Sequence, residues 1–191
     1  MNQVELNKQA KLSEHFSLGE LTRSKSHPEV YNIPSRQVIE NLKRVCVWLE
    51  ALRERYNERY VLAGTGGQVN AMAGGQVPKV EVFGENFISR PDPEKARPDP
   101  EPIIITSGYR SAELNRKVGG VATSNHLTGC AVDIRVAGKE QLIRYACILL
   151  DYADETKQDF AEILLEHGAN GVIWLHFAVR PQGNRRKINF L

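Results

Sequence analysis

The sequence predicts a single α+β domain in which helices flank a small, largely antiparallel sheet. Its 191 residues are enough for one domain of ordinary size with its own hydrophobic core. Helical periodicity in some segments is interleaved with short apolar runs of strand character, without a regular strand-helix-strand repeat. Hydrophobic residues make up 41% and charged residues 25% of the chain, as is typical of soluble globular proteins.

The helices are predicted from apolar residues spaced by three or four positions. The clearest pattern lies in residues 35–56, which begin with Ser35, and it predicts a long helix with one apolar and one charged face. A second amphipathic helix is predicted in KEQLIRYACILLDYADE. Shorter helices are expected in LSEHFSLGELTRS and in SAELNRKVGG, where Ser111 is the predicted N-cap.

Three apolar runs predict strands: PIIITSGYRS, CAVDIRV and GVIWLHFAV, the last of which is expected to be the final strand. The last twelve residues carry four basic side chains and are expected to form a solvated tail. The three cysteines lack a CxxC spacing, and we expect all of them to be small buried side chains: Cys46, Cys130 and Cys147.

Residues 61–102 are expected to form an insertion within the domain. This stretch holds six of the 15 glycines and six of the nine prolines of the chain, a composition typical of loops. Within it, VPKVEVFGENF alternates well enough to predict a small hairpin. A loop of this length is usually a lid, a binding loop or a spacer, and the spacer is favoured here.

The overall charge and the first residues exclude some classes of protein. A formal net charge of +2 is too small to indicate nucleic-acid binding, which needs a concentrated basic face. The chain has no apolar run long enough to span a membrane, and its first residues lack the apolar core of a signal peptide. We therefore expect neither a nucleic-acid partner nor a membrane span, and synthesis in the cytoplasm; the oligomeric state stays open.

The segment SNHLTGCAVDIRV, residues 124–136, places His126 and Asp133 seven positions apart, with Gly129 between them. His126 lies in a loop that leads into the strand carrying Asp133, and His176 lies in a later apolar strand. A carboxylate or charged imidazole in such surroundings needs a partner or a metal. Two imidazoles and a carboxylate suit Zn²⁺ and leave a fourth position open, as in catalytic sites.

The residues SGYRSAELNRKVGGVATSNHLTGCAVDI, followed by WLHF, resemble a family of zinc peptidases. This family includes bacterial D-Ala-D-Ala carboxypeptidases, vancomycin-resistance dipeptidases and the L-alanyl-D-glutamate endopeptidases of phage endolysins. LSEHFSLGELTRS is similar to the leader of the phage and bacterial carboxypeptidase-like branch. The resemblance thus covers most of the chain outside residues 61–102 and implies the hedgehog/D-Ala-D-Ala peptidase-like fold.

The resemblance also implies roles for individual residues. His126, Asp133 and His176 match the three zinc ligands. Arg110 matches the arginine that holds or polarises the substrate, and a guanidinium there could stabilise an oxyanion; a salt bridge is the plainer alternative. Ser124 matches the serine two positions before the first ligand, although a plain turn residue would serve as well.

The sequence departs from the family pattern at Ile173. Many relatives have an acidic or histidine general base three residues before the last ligand, and isoleucine can neither accept nor donate a proton. Glu166, at the end of the apolar segment AEILLEHG, is the best replacement, with His167 as the fallback. Both could equally be exposed residues near the end of a helix.

These observations predict a zinc metallopeptidase that hydrolyses peptide bonds in peptidoglycan stem peptides, as a D-Ala-D-Ala carboxypeptidase or an L-Ala-D-Glu endopeptidase. The resemblance implies that the protein acts on the cell wall after it is released from the cytoplasm in the manner of a phage enzyme. The alternative is a non-catalytic cell-wall or phage-structural binding module that keeps the fold, which Ile173 favours. A metal-free domain is disfavoured, because the three predicted ligands would then be isolated polar residues in apolar strands.

Overall fold

The structure is a computed structural model that describes residues 7–62 and 99–191. Four α-helices are present in these ranges, and the two long ones coincide with the two strongest periodic patterns. Ser35 caps the longest helix by accepting a hydrogen bond from the backbone N–H of Val38 at 3.3 Å. The helices are α1 (Leu18–Thr22), α2 (Arg36–Tyr56), α3 (Ala112–Lys117) and α4 (Lys139–Thr156), and a π-helical segment, Asn57–Leu62, continues α2.

Five strands form one sheet with the order β1-β2-β4-β3-β5. Three of the four strand pairs are antiparallel, and β3 and β5 are parallel. The predicted α+β class with a largely antiparallel sheet is therefore confirmed. The strands are β1 (Ile105–Ser107), β2 (Ala131–Arg135), β3 (Glu162–His167), β4 (Ile173–Ala178) and β5 (Lys187–Phe190).

The two faces of the sheet have different chemistry because side chains alternate along each strand. One face packs against α2 and α4 in a continuous apolar core, to which Val132, Ile134, Leu175 and Phe177 contribute. The alternate residues, among them Asp133 on β2 and His176 on β4, lie on the other face of the sheet, which we call the polar face. The core thus fixes the strands whose alternate residues are presented on the polar face.

Three expectations from the sequence are wrong. The segment 162–167 is a strand, so Glu166 does not lie near a helix end. Part of the tail forms β5, whose backbone pairs with β3 although all four of its residues are exposed. Cys46 and Cys130 are buried, but Cys147 is exposed, because it lies on the outward face of α4.

Most of the predicted insertion, residues 63–98, and its hairpin lie outside the described residues, so the single-domain organisation with this insertion stays a prediction. Within the described residues, no helix is both long and apolar enough to cross a membrane.

Gly129 allows the loop before β2 to lie directly against α2. It has a left-handed backbone, with φ of 70°, and a Cβ at this position would lie 2.7 Å from Val38 Cγ1 and 2.9 Å from the Val38 carbonyl oxygen. We expect Gly129→Ala to lower the free energy of unfolding by about 1–2 kcal/mol through the left-handed conformation. Overpacking against Val38 should add about 1–3 kcal/mol.

Gly171 provides the matched control for this prediction, because it has φ of 77° and no atom within 4 Å of its added Cβ. Gly171→Ala should therefore show the conformational cost alone. Urea denaturation of both variants measures the difference, and equal losses would contradict the close contact between this loop and α2.

Candidate metal centre

Three polar side chains converge where two strands and one loop meet. Asp133 in β2 lies directly across from His176 in β4, in antiparallel register. His126 lies in a short 3₁₀ turn, Asn125–Thr128, that leads into β2. All three residues are at least 93% buried, and their ligand atoms lie within 4.8 Å of one another.

The donor atoms form a triangle of the size that a tetrahedral zinc site requires. His126 Nε2 lies 3.3 Å from His176 Nδ1 and 3.3 Å from Asp133 Oδ1, and His176 Nδ1 lies 2.9 Å from Asp133 Oδ1. Around Zn²⁺, with bonds of about 2.0–2.1 Å, tetrahedral ligand atoms are about 3.3–3.4 Å apart. The side chains present therefore fit a zinc ion with little rearrangement.

Each of the three side chains also has a partner on its outer atom. His126 Nδ1 lies 2.6 Å from the carbonyl oxygen of Gly108, which can only accept, so Nδ1 carries the hydrogen and Nε2 presents its lone pair. Asp133 Oδ2 accepts a hydrogen bond from Arg110 Nη2 at 2.5 Å. His176 Nε2 faces the carboxylate of Glu162 at 3.6 Å. Outer partners of this kind orient the ligands of metal sites.

The position of the Gly108 carbonyl depends on the absence of a side chain. A Cβ on Gly108 would lie 2.2 Å from the carbonyl oxygen of Leu21, at the end of α1. The same Leu21 carbonyl accepts a hydrogen bond from the backbone N–H of Tyr109 at 2.7 Å. The N-terminal helix thereby holds the backbone that orients His126.

The ionisable side chains of the site shift one another's pKa values. Burial alone would raise the pKa of Asp133, but His126 and His176 outweigh this effect and hold the pKa well below its usual range. Burial would also lower the pKa of His176, yet Asp133 and Glu162 raise that pKa to about 9. The nearby His176 imidazole, together with the hydrogen bond from Asn125, lowers the pKa of Glu162 to about 2.

The raised pKa of His176 predicts that metal binding depends on pH. Below pH 9 the metal-free side chain is largely protonated, whereas a bound metal requires a lone pair on its nitrogen, so metal uptake must release this proton. We expect the apparent zinc affinity to rise about tenfold for each pH unit up to about pH 9. Chelator competition at pH 6.5, 7.5 and 8.5 measures this slope, and an affinity independent of pH would contradict the assignment.

Arg110 and Ser124 have structural contacts that the sequence does not reveal. Arg110 Nε donates to Ser107 Oγ at 2.8 Å while Nη2 binds Asp133, so Arg110 forms a salt bridge that is largely buried and not on the surface. Ser124 Oγ accepts from the backbone N–H of His126 at 3.3 Å and caps the 3₁₀ turn. A direct role of either residue in substrate binding stays a prediction.

Of the two candidate bases, Glu166 lies on the polar face, and His167 lies on the opposite face. Glu166 is paired with Trp174 across β3 and β4, and its Oε2 accepts a hydrogen bond from Trp174 Nε1 at 2.5 Å. Ile173 packs against the apolar core, because an offset of three residues from His176 along a strand reverses the face. The isoleucine therefore does not occupy the place of a base on the polar face.

Glu162 is the site residue that the sequence analysis missed. It lies on the polar face of β3, four residues before Glu166, and accepts a hydrogen bond from Asn125 Nδ2 at 2.8 Å. The signal was the alternation of Glu162, Leu164 and Glu166, which places both carboxylates on one face of a strand. The neighbouring apolar residues Ile163 and Leu165 obscured this alternation.

Part of the chain matches a known protein family. The family model described as Peptidase M15 matches residues 95–161, about one third of the chain. This segment contains Arg110, His126 and Asp133, and it ends just before β3 and Glu162 and before β4, which carries His176. No curated protein matches the chain.

Proposed function

We propose that this chain is a zinc-dependent peptidase acting on peptidoglycan stem peptides, and the match of residues 95–161 to the Peptidase M15 family model supports this proposal. The observation that carries the proposal is the triangle of His126 Nε2, Asp133 Oδ1 and His176 Nδ1. A zinc ion held there would supply a Lewis acid that polarises a carbonyl and acidifies water. Buried donors at these separations are unfavourable without a metal or a shared proton.

Arg110 would serve both the metal centre and the substrate. Its hydrogen bonds to Ser107 and Asp133 use two of the five N–H donors of a guanidinium. These bonds fix its plane beside Asp133, where another donor could bind the oxyanion that develops as the peptide carbonyl is attacked. Asp133 would keep one oxygen for the metal and the other for Arg110.

Glu166 would be the general base. Trp174 holds its Oε2, which leaves Oε1 to accept the proton of the attacking water. Glu166 and Trp174 lie in the row of the polar face next to the row that contains Asp133 and His176. The location of Glu166 on the polar face favours it as the base over His167, which lies on the opposite face of the sheet.

A non-catalytic module that binds the cell wall or a phage structure is the second candidate. It is favoured by the departure from the family pattern at Ile173 and by the engagement of Glu166 with Trp174. Such a module would keep the fold and the metal and would bind stem peptides without cleaving them.

Mass spectrometry of peptidoglycan fragments incubated with the zinc-loaded protein distinguishes these functions. Loss of a terminal alanine identifies a carboxypeptidase, and a new free amino terminus on D-Glu identifies an L-Ala-D-Glu endopeptidase. Absence of cleavage across a broad pH range, with zinc bound, would overturn the peptidase proposal and leave the binding module.

A further inference from the structure

Glu162 has contacts that relate it to both histidines of the metal centre. Its Oε2 accepts a hydrogen bond from Asn125 Nδ2 at 2.8 Å, and Asn125 directly precedes His126. The same oxygen lies 3.6 Å from His176 Nε2, which is longer than a hydrogen bond and within the range of an ion pair. Lys187 in β5 lies 3.4 Å from the other carboxylate oxygen.

The sheet leaves room for this carboxylate to reach His176. Glu162 pairs with Ala178 in β4, and Ala178 pairs with Ala131 in β2. These two alanines are fully buried and belong to a small apolar cluster of their own. Because their side chains are short, the longer side chain of Glu162 can extend past them toward the imidazole in the next row.

Glu162 lies outside the group that could hold the metal directly. Among residues 7–62 and 99–191, that group contains His126, Asp133 and His176. Glu162 faces the opposite nitrogen of His176, Nε2, whereas Nδ1 lies 2.9 Å from Asp133 Oδ1. A contact of Glu162 with the ion is therefore not the role that this geometry supports.

We propose that Glu162 is a positioning residue that accepts the Nε2–H of His176 and so directs the Nδ1 lone pair toward the metal. The inference rests on the proposed metal centre and deepens it. A carboxylate without a proton can only accept, so it selects the tautomer of His176 with hydrogen on Nε2. The carbonyl of Gly108 accepts the Nδ1–H of His126 and so leaves the Nε2 lone pair of that ring free for the metal. The two imidazoles would therefore bind the metal through different nitrogen atoms.

The contact should shorten when the metal binds, since a ligand histidine commonly donates its second N–H to a carboxylate or a carbonyl. Asn125 and Lys187 hold the carboxylate from two sides, so the closure requires a small tilt of the imidazole.

Zinc affinity measured by chelator competition tests the role of Glu162. We expect Glu162→Ala to weaken zinc binding about 10- to 100-fold, and Glu162→Gln, which keeps an acceptor oxygen, to recover most of this loss. Glu14→Gln is the matched control, because the Glu14 side chain is 84% exposed, and it should bind zinc as the unaltered protein does. Equal affinity of Glu162→Ala and the unaltered protein would overturn the inference.

A second outcome separates positioning from a general effect of charge. Both Glu162 variants lose the negative charge, but only the glutamine can still accept from Nε2. If Glu162→Gln binds zinc as weakly as Glu162→Ala, the effect is one of charge, and the positioning role is wrong.

The nitrogen atoms of His176 can also be observed in the unaltered protein, which keeps the test valid if Glu162→Ala fails to fold. In ¹⁵N-labelled, zinc-loaded protein we expect metal at Nδ1 and hydrogen at Nε2 of His176, with the reverse for His126. Metal at Nε2 of His176 would overturn the inference alone. Failure of the unaltered protein to bind zinc would overturn the proposed metal centre, and with it this inference.

Discussion

His176→Ala is expected to lose zinc binding and all peptidase activity. The substitution removes one corner of the donor triangle and leaves Asp133 beside His126 alone in a buried site. Loss of an outer partner costs about 10- to 100-fold in metal affinity, and loss of a ligand should cost more than 100-fold. Inductively coupled plasma analysis of dialysed protein, together with the cleavage assay, measures both effects.

Two further variants complete this prediction. His126→Ala should behave in the same way, because it removes a second corner. His27→Ala is the control, since His27 is partly exposed, contacts Glu29 and lies far along the chain from the site. Stoichiometric zinc in dialysed His176→Ala would contradict the prediction, because it would show that zinc binds without His176.

Glu166→Gln is expected to keep zinc and to lose most of the catalytic rate. The glutamine oxygen can still accept from Trp174 Nε1, so the fold and the donor triangle should persist. Without a carboxylate to take the proton of the attacking water, kcat should fall about 10²- to 10⁴-fold. Steady-state cleavage of a stem peptide, with zinc content measured in the same samples, provides the test.

His167→Ala is the matched control for the base. His167 is adjacent in the chain, is exposed and lies on the opposite face of β3, so its removal should leave the rate unchanged. A Glu166→Gln protein with full activity would exclude Glu166 as the base. Loss of activity in His167→Ala alone would transfer the role to the histidine.

The positions of Asp133 and His176 on the polar face could be predicted from the sequence because the alternation of apolar and polar residues is clear in β2 and β4. Val132 and Ile134 anchor β2 in the core and force Asp133 onto the other face, and Leu175 and Phe177 do the same for His176. No comparable pattern gives a distance between residues far apart in the chain. The sequence therefore did not identify Asp133 as the partner of Arg110.

The elements missed from the sequence lack a clear periodic signal. β5 is exposed along its length and is held by backbone pairing with β3, which charged side chains do not reveal. In β3, the consecutive apolar residues Ile163, Leu164 and Leu165 conceal the alternation that places Glu162 on the polar face. Interpreting this segment as a helix end hid Glu162, the carboxylate that faces His176 Nε2.

The direct pairing of Asp133 with His176 makes the metal centre sensitive to strand register. A slip of one residue between β2 and β4 would turn the side chains of the shifted strand to the opposite face and place Leu175 or Phe177 where His176 belongs. Only the native pairing brings all three donors within binding distance. Zinc uptake during refolding would therefore act as a reporter of correct strand assembly, and misregistered chains would be recognised by their failure to retain the ion.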